Sequence, residues 1–108
     1  MEKEKLIETY KEIISFTEKS ELKGKNMLYT SNNGYMYSMI NKNNELGFRL
    51  SKADRAEFDK KYGVLPFMSH GATMRDYVLI PESLLSDTKV LAAWLSRAHE
   101  HVSTLKPK

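Results

Sequence analysis

At 108 residues the chain has room for one domain with a single apolar core, and 41% hydrophobic against 29% charged residues sets it apart from disordered compositions. Without cysteine it has no disulfide, no thiolate nucleophile and no Cys-ligated metal centre. The formal charge of +3 is a small surplus unevenly spread: residues 1–18 hold three basic against five acidic groups, and residues 19–63 hold nine against five.

Leu6, Ile7, Tyr10, Ile13, Ile14 and Thr17 recur at helical spacing and predict an amphipathic first helix over residues 3–19. The run Met1-Glu2-Lys3-Glu4-Lys5 lacks the apolar stretch of a secretion signal. No apolar run approaches the roughly 18 residues of a membrane span, so the expected location is the cytosol, without membrane contact. Residues 27–30, 35–40 and 46–50 then predict three short strands in a meander. Asn33-Gly34 suits a type I′ hairpin turn, because both positions tolerate positive φ, and Asn43-Asn44 makes a less ideal turn. Ser51 caps the next predicted helix, Asp54 sits three residues on, and Gly63 stops the helix after Tyr62.

Residues 65–68 and 74–80 predict two further strands about a 69–73 loop, the first an edge strand because Pro66 has no N–H to donate. Pro81 ends the second, 82–85 makes one helical turn, and Asp87 caps a final helix. That helix carries the most regular pattern in the chain, Leu91, Trp94, Leu95, Ala98, Val102 and Leu105, with Trp94 expected to lie against the sheet. The first few residues and the Lys106-Pro107-Lys108 tail are expected to be loosely held. The order α, three strands, α, two strands, α predicts an α+β fold, a single two-layer domain over 1–108 with helices packed on an antiparallel sheet.

The sequence carries no phosphate-cradling Gly-rich loop, dinucleotide fingerprint, Gly-x-Ser-x-Gly elbow or His-Glu-x-x-His helix. His99 and His101, two apart on a helix, project about 200° from each other and cannot share a metal. Ser69, His70 and Asp76 are the residue types of a hydrolytic triad. Adjacent side chains of an extended segment point to opposite faces, however, so a polar hairpin loop describes them better. The expectation is no catalytic set, no metal, no cofactor and no small-molecule substrate.

The binding candidates are basic and aromatic. Lys23 and Lys25 flank Gly24 before the first strand, while Arg49, Lys52 and Arg55 gather at the start of the second helix, where free amides and guanidinium groups suit a phosphate or carboxylate. The plainer alternative is a solvated loop for the lysines and an Arg49 paired with an acid such as Glu45 or Glu57. Tyr35, Tyr37 and Met39 alternate with Met36, Ser38 and Ile40, so both faces of that strand are largely apolar. One face packs under helices; the other needs a second layer within the chain or a partner surface. Lys23, Lys25, Arg49, Lys52 and Arg55, with Tyr35 and Tyr37, form the candidate binding surface.

Lys23-Gly24-Lys25-Asn26-Met27-Leu28-Tyr29-Thr30-Ser31, Asn33-Gly34, Gly47-Phe48-Arg49-Leu50, Gly71-Ala72, Met74-Arg75-Asp76-Tyr77-Val78, Pro81, Leu84-Leu85 and Leu105-Lys106-Pro107-Lys108 together carry a pattern. It resembles the small TfoX/Sxy-family proteins made of the TfoX N-terminal-like domain alone, from about Leu22 to Lys108. The resemblance implies a two-layer domain of order α-β3-α-β2-α, similar in architecture to type III secretion chaperones, and a bacterial source. The family's longer members are regulators of competence for DNA uptake; Met27-Leu28-Tyr29-Thr30 stands here where they carry a Met-Phe-Gly-Gly type of segment. No catalytic residues are implied. The expected function is a non-enzymatic protein-binding domain, a transcriptional or competence-type regulator or accessory factor, whose partner is another protein or a second copy of itself. The alternative is weak, sequence-independent nucleic-acid binding by the basic residues between Lys19 and Lys61.

Overall fold

In the computed structural model, which describes Met1–Lys108, helices α1 (Lys3–Ser15), α2 (Lys52–Tyr62) and α3 (Thr88–Ser103) frame six strands. These are β1 (Tyr29–Asn32), β2 (Tyr35–Ile40), β3 (Leu46–Arg49), β4 (Met68–Ser69), β5 (Ala72–Thr73) and β6 (Tyr77–Leu79). β1, β2, β3 and β6 form one antiparallel sheet in that order, and β4 and β5 pair separately. The chain is a mixed α+β domain, and none of its helices is long and apolar enough to cross a membrane.

α1 stops four residues short of the sequence-based expectation. Ser15 Oγ donates to the Glu12 carbonyl and Thr17 Oγ1 to that of Ile14, so side chains satisfy acceptors that a continuing helix would have used. β1 begins two residues later than expected, because Lys23 and Tyr29 exchange both backbone hydrogen bonds and close residues 24–28 into a tight loop. Gly24 makes the loop feasible: its φ is 91°, and a Cβ there would lie 2.1 Å from the Met27 carbonyl oxygen. The Asn33-Gly34 turn has φ of 58° and 84°, as a type I′ hairpin requires.

After α2 the chain makes three short strands rather than two. His70 and Gly71, both at positive φ, form a two-residue turn that pairs β4 with β5, and the expected 74–80 strand shortens to β6 beside β3. The hairpin loop expected at Ser69-His70 is thus present, with His70 and Gly71 as its two central residues, since His is among the residue types enriched at positive φ; its flanking residues pair as short strands of their own.

The helix-side core joins Leu6, Tyr10 and Ile13 of α1 to Ile40, Leu46, Phe48 and Val78 of the sheet and to Leu91, Leu95 and Ala98 of α3. Within it, Ser38 Oγ is hydrogen-bonded to both Tyr10 Oη and Thr30 Oγ1, so three buried hydroxyls satisfy one another. Trp94 is buried as expected, and its ring also meets Phe58 and Tyr62 of α2 edge-on, contacts that the apolar stripe of α3 alone did not indicate.

A bulge explains the double apolar face of β2. Thr30 pairs with Ser38 and Ser31 with Met36, leaving Tyr37 without a partner, and its side chain joins Ser38 on the helix side. The opposite face is covered from within the chain. Met39, Phe67 and Tyr77 make a second small core, in which Phe67 stacks on Tyr77 and lies against Gly47. The tail is not loose: Asn33 Nδ2 donates to the carbonyls of Val102 and Leu105, Tyr35 Oη to that of Lys106, and the Lys108 amide to Asn33. The hairpin turn thus caps the end of α3 and holds residues 105–108.

Candidate binding surface

β3 ends at Arg49 and Ser51 caps α2 through the Asp54 amide, so a two-residue connection brings Arg49 and Arg55 to one place. Antiparallel pairing sets Arg49 opposite Tyr77, next to Asp76. Asp76 lies 3.4 Å from Arg49 and 3.5 Å from Arg55, and Arg55 also donates to the Leu50 carbonyl at 2.6 Å. The acid that pairs with Arg49 is therefore neither Glu45 nor Glu57; Glu57 binds Arg97 and Lys61. The Arg49 guanidinium lies 5.3 Å and Lys108 Nζ 5.5 Å from the centroid of the Tyr35 ring. Partly exposed pairs of this kind contribute about 0–1 kcal/mol each. Their larger effect is to cancel part of the charge a phosphate would need.

The other candidates do not join this group. Lys23 Nζ donates to Ser31 Oγ along the β1 edge, and Lys52 is exposed without an ion pair. Lys25 lines a cleft of about 240 Å³ at the far end of the sheet. Tyr37 is fully buried, donates to Ser20 Oγ and meets His99 edge-on, so the interface alternative fails for it. The bulge that turned it inward is set by cross-strand pairing, which alternation along one strand cannot reveal.

Ser69, His70 and Asp76 are not joined by hydrogen bonds. Ser69 is buried with its Oγ unpartnered, His70 is exposed in the β4–β5 turn, and Asp76 is engaged by the two arginines. No three His, Cys, Asp or Glu side chains converge.

His99 and His101 face different neighbours but are shifted in the same direction. Burial holds both below the ordinary imidazole value of 6.5. Lys19 adds to this at His99 against Glu100; at His101, Arg49 and Arg55 add to it against Asp76 and Asp54. Protonation is thus disfavoured in the folded state, the unfolded chain binds more protons, and stability is lost as pH falls through the imidazole range. Urea midpoints should be lower at about pH 5.5 than at about pH 7.5, and the double variant His99→Gln/His101→Gln should narrow the gap. A wild-type midpoint that rises on acidification contradicts this.

Two features escaped the sequence reading. Lys3 and Lys42 join Lys25 in its cleft, and only the tertiary fold brings the three together. Tyr62, Val64, Leu65 and Met68, from the end of α2 to the start of β4, stay exposed, with Leu65 at 59%. Leu65 borders a groove of about 300 Å³ lined also by Leu46, Leu79, Pro81 and Leu85. Its place in an apolar run read as a strand gave no sign of exposure. No protein-family model, curated protein or solved structure matches the chain.

Proposed function

We propose that the chain is a non-enzymatic, cytosolic protein-binding domain, a regulator or accessory factor of the type the TfoX/Sxy resemblance implies. The observation that carries this reading is the exposed apolar side chains of Tyr62, Val64, Leu65 and Met68, continuous through Leu65 with an apolar groove. Single exposed apolar residues are ordinary; four in one short segment beside a groove of the same character fit a partner surface. The antiparallel meander between α1 and α2 is in keeping with the family order.

Nucleic-acid binding is less well supported, because Asp76 offsets Arg49 and Arg55 while Lys23 and Lys25 lie apart from them. Duplex affinity should be no tighter than about 10⁻⁴ to 10⁻⁶ M at physiological salt. The test is capture from native lysate with wild-type protein and with Leu65→Glu, an exposed position whose change leaves the core intact. A partner retained by the wild type and lost by the variant supports the reading. Nanomolar binding that discriminates between duplex sequences overturns it.

A further inference from the structure

Lys3 from the first turn of α1, Lys25 from the loop before β1 and Lys42 from the β2–β3 turn converge on one cleft. No Asp or Glu lines it, and none of the three lysines makes an ion pair. This contrasts with Arg49, Arg55, Lys61 and Arg97, each of which has a carboxylate at 3.0–3.6 Å. The floor is aliphatic: Ile7, Met27, Leu28 and Ile40. Asn44, which also lines the cleft, donates through Nδ2 to the Met1 carbonyl, while its Oδ1 is buried without a donor.

We propose that this cleft receives an acidic, extended segment of a partner protein, with carboxylates on the three lysines and an aliphatic side chain on the floor. The proposal rests on the protein-binding reading and adds to it a second surface and the partner's chemistry. One feature favours a peptide over a nucleic acid. The floor has no aromatic ring on which a base could stack. The lysines are flexible point charges that accept carboxylates arriving from several directions. A volume of about 240 Å³ lies below the roughly 300–1,000 Å³ of small-molecule sites and matches one or two side chains of a segment.

The test is an amide NMR titration with a short synthetic peptide of aspartates and glutamates around one central leucine. A leucine-to-serine peptide and a short oligothymidine serve as comparisons. Saturable shifts are expected at residues 25–28 and 40–44, weakening as salt rises, with the serine peptide binding less tightly. Lys25→Glu/Lys42→Glu, at two exposed positions, should lower the affinity by about tenfold or more; Lys42→Gln is the milder variant should the double one misfold. Leu65→Glu should leave the titration unchanged, so failure at the cleft and failure of lysate capture are separate results. Absence of saturable shifts, shifts centred on Arg49 and Arg55, or tighter binding of oligothymidine in the cleft overturns the proposal.

Discussion

Trp94→Ala is expected to destabilise the domain by about 3–5 kcal/mol, a large part of the roughly 5–15 kcal/mol that such a domain has in total. Trp94 is 4% exposed, with ring centroids 5.1 Å from Phe58 and 6.4 Å from Tyr62, and the Arg97 guanidinium lies 4.6 Å from its ring. Phe58 is the only fully buried residue of α2, so this aromatic contact is the main attachment between α2 and the rest of the core. Arg97 adds salt bridges to Asp54 and Glu57 across the same junction, but these are partly exposed and contribute little. Chemical denaturation followed by circular dichroism measures the loss. A soluble variant that melts cooperatively within about 1 kcal/mol of wild type contradicts the placement.

Phe67→Ala should cost a similar amount, about 3–5 kcal/mol, for a different reason. Phe67 is fully buried on the sheet face away from the helices, stacked on Tyr77 with centroids 5.5 Å apart and planes at 16°. Without it Met39 and Tyr77 lose their cover, and the outer face of the sheet opens to water. The ring can lie so close only because residue 47 is glycine: a Cβ there would stand 2.6–2.7 Å from three of its atoms. Gly47→Ala alone should therefore destabilise by overpacking, about 1–3 kcal/mol, and should cost less in a Phe67→Ala background. Strictly additive effects of the two substitutions would mean that ring and glycine do not meet.

Trp94 lies in the part of the fold that the sequence made legible. The stripe from Leu91 to Leu105 predicts α3, Asn33-Gly34 predicts its turn, and Ser51 and Gly63 mark the ends of α2, because each signal is local and has a single physical cause. Phe67 lies in the part that was not. Its partner is Gly47 in β3, some twenty residues away, and nothing in either segment announces the contact. The Tyr37 bulge, the place of β6 beside β3 and the salt bridges of Asp76 are likewise products of pairing between distant segments. Of the candidate surface, the grouping of Arg49 with Arg55 was legible, since the turn into α2 sets it. The separation of Lys25 from them and its meeting with Lys3 and Lys42 depended on how α1 and the first hairpin dock.

The most direct test of protein binding through the exposed segment is photocrosslinking in native lysate from a benzophenone side chain at position 65, with position 8 on the exposed side of α1 as control. Specific crosslinking at 65 and not at 8 is the expected result, to a partner protein or, at twice the chain's mass, to a second copy. Equal labelling at both positions, or recovery of nucleic acid in place of protein, would contradict it.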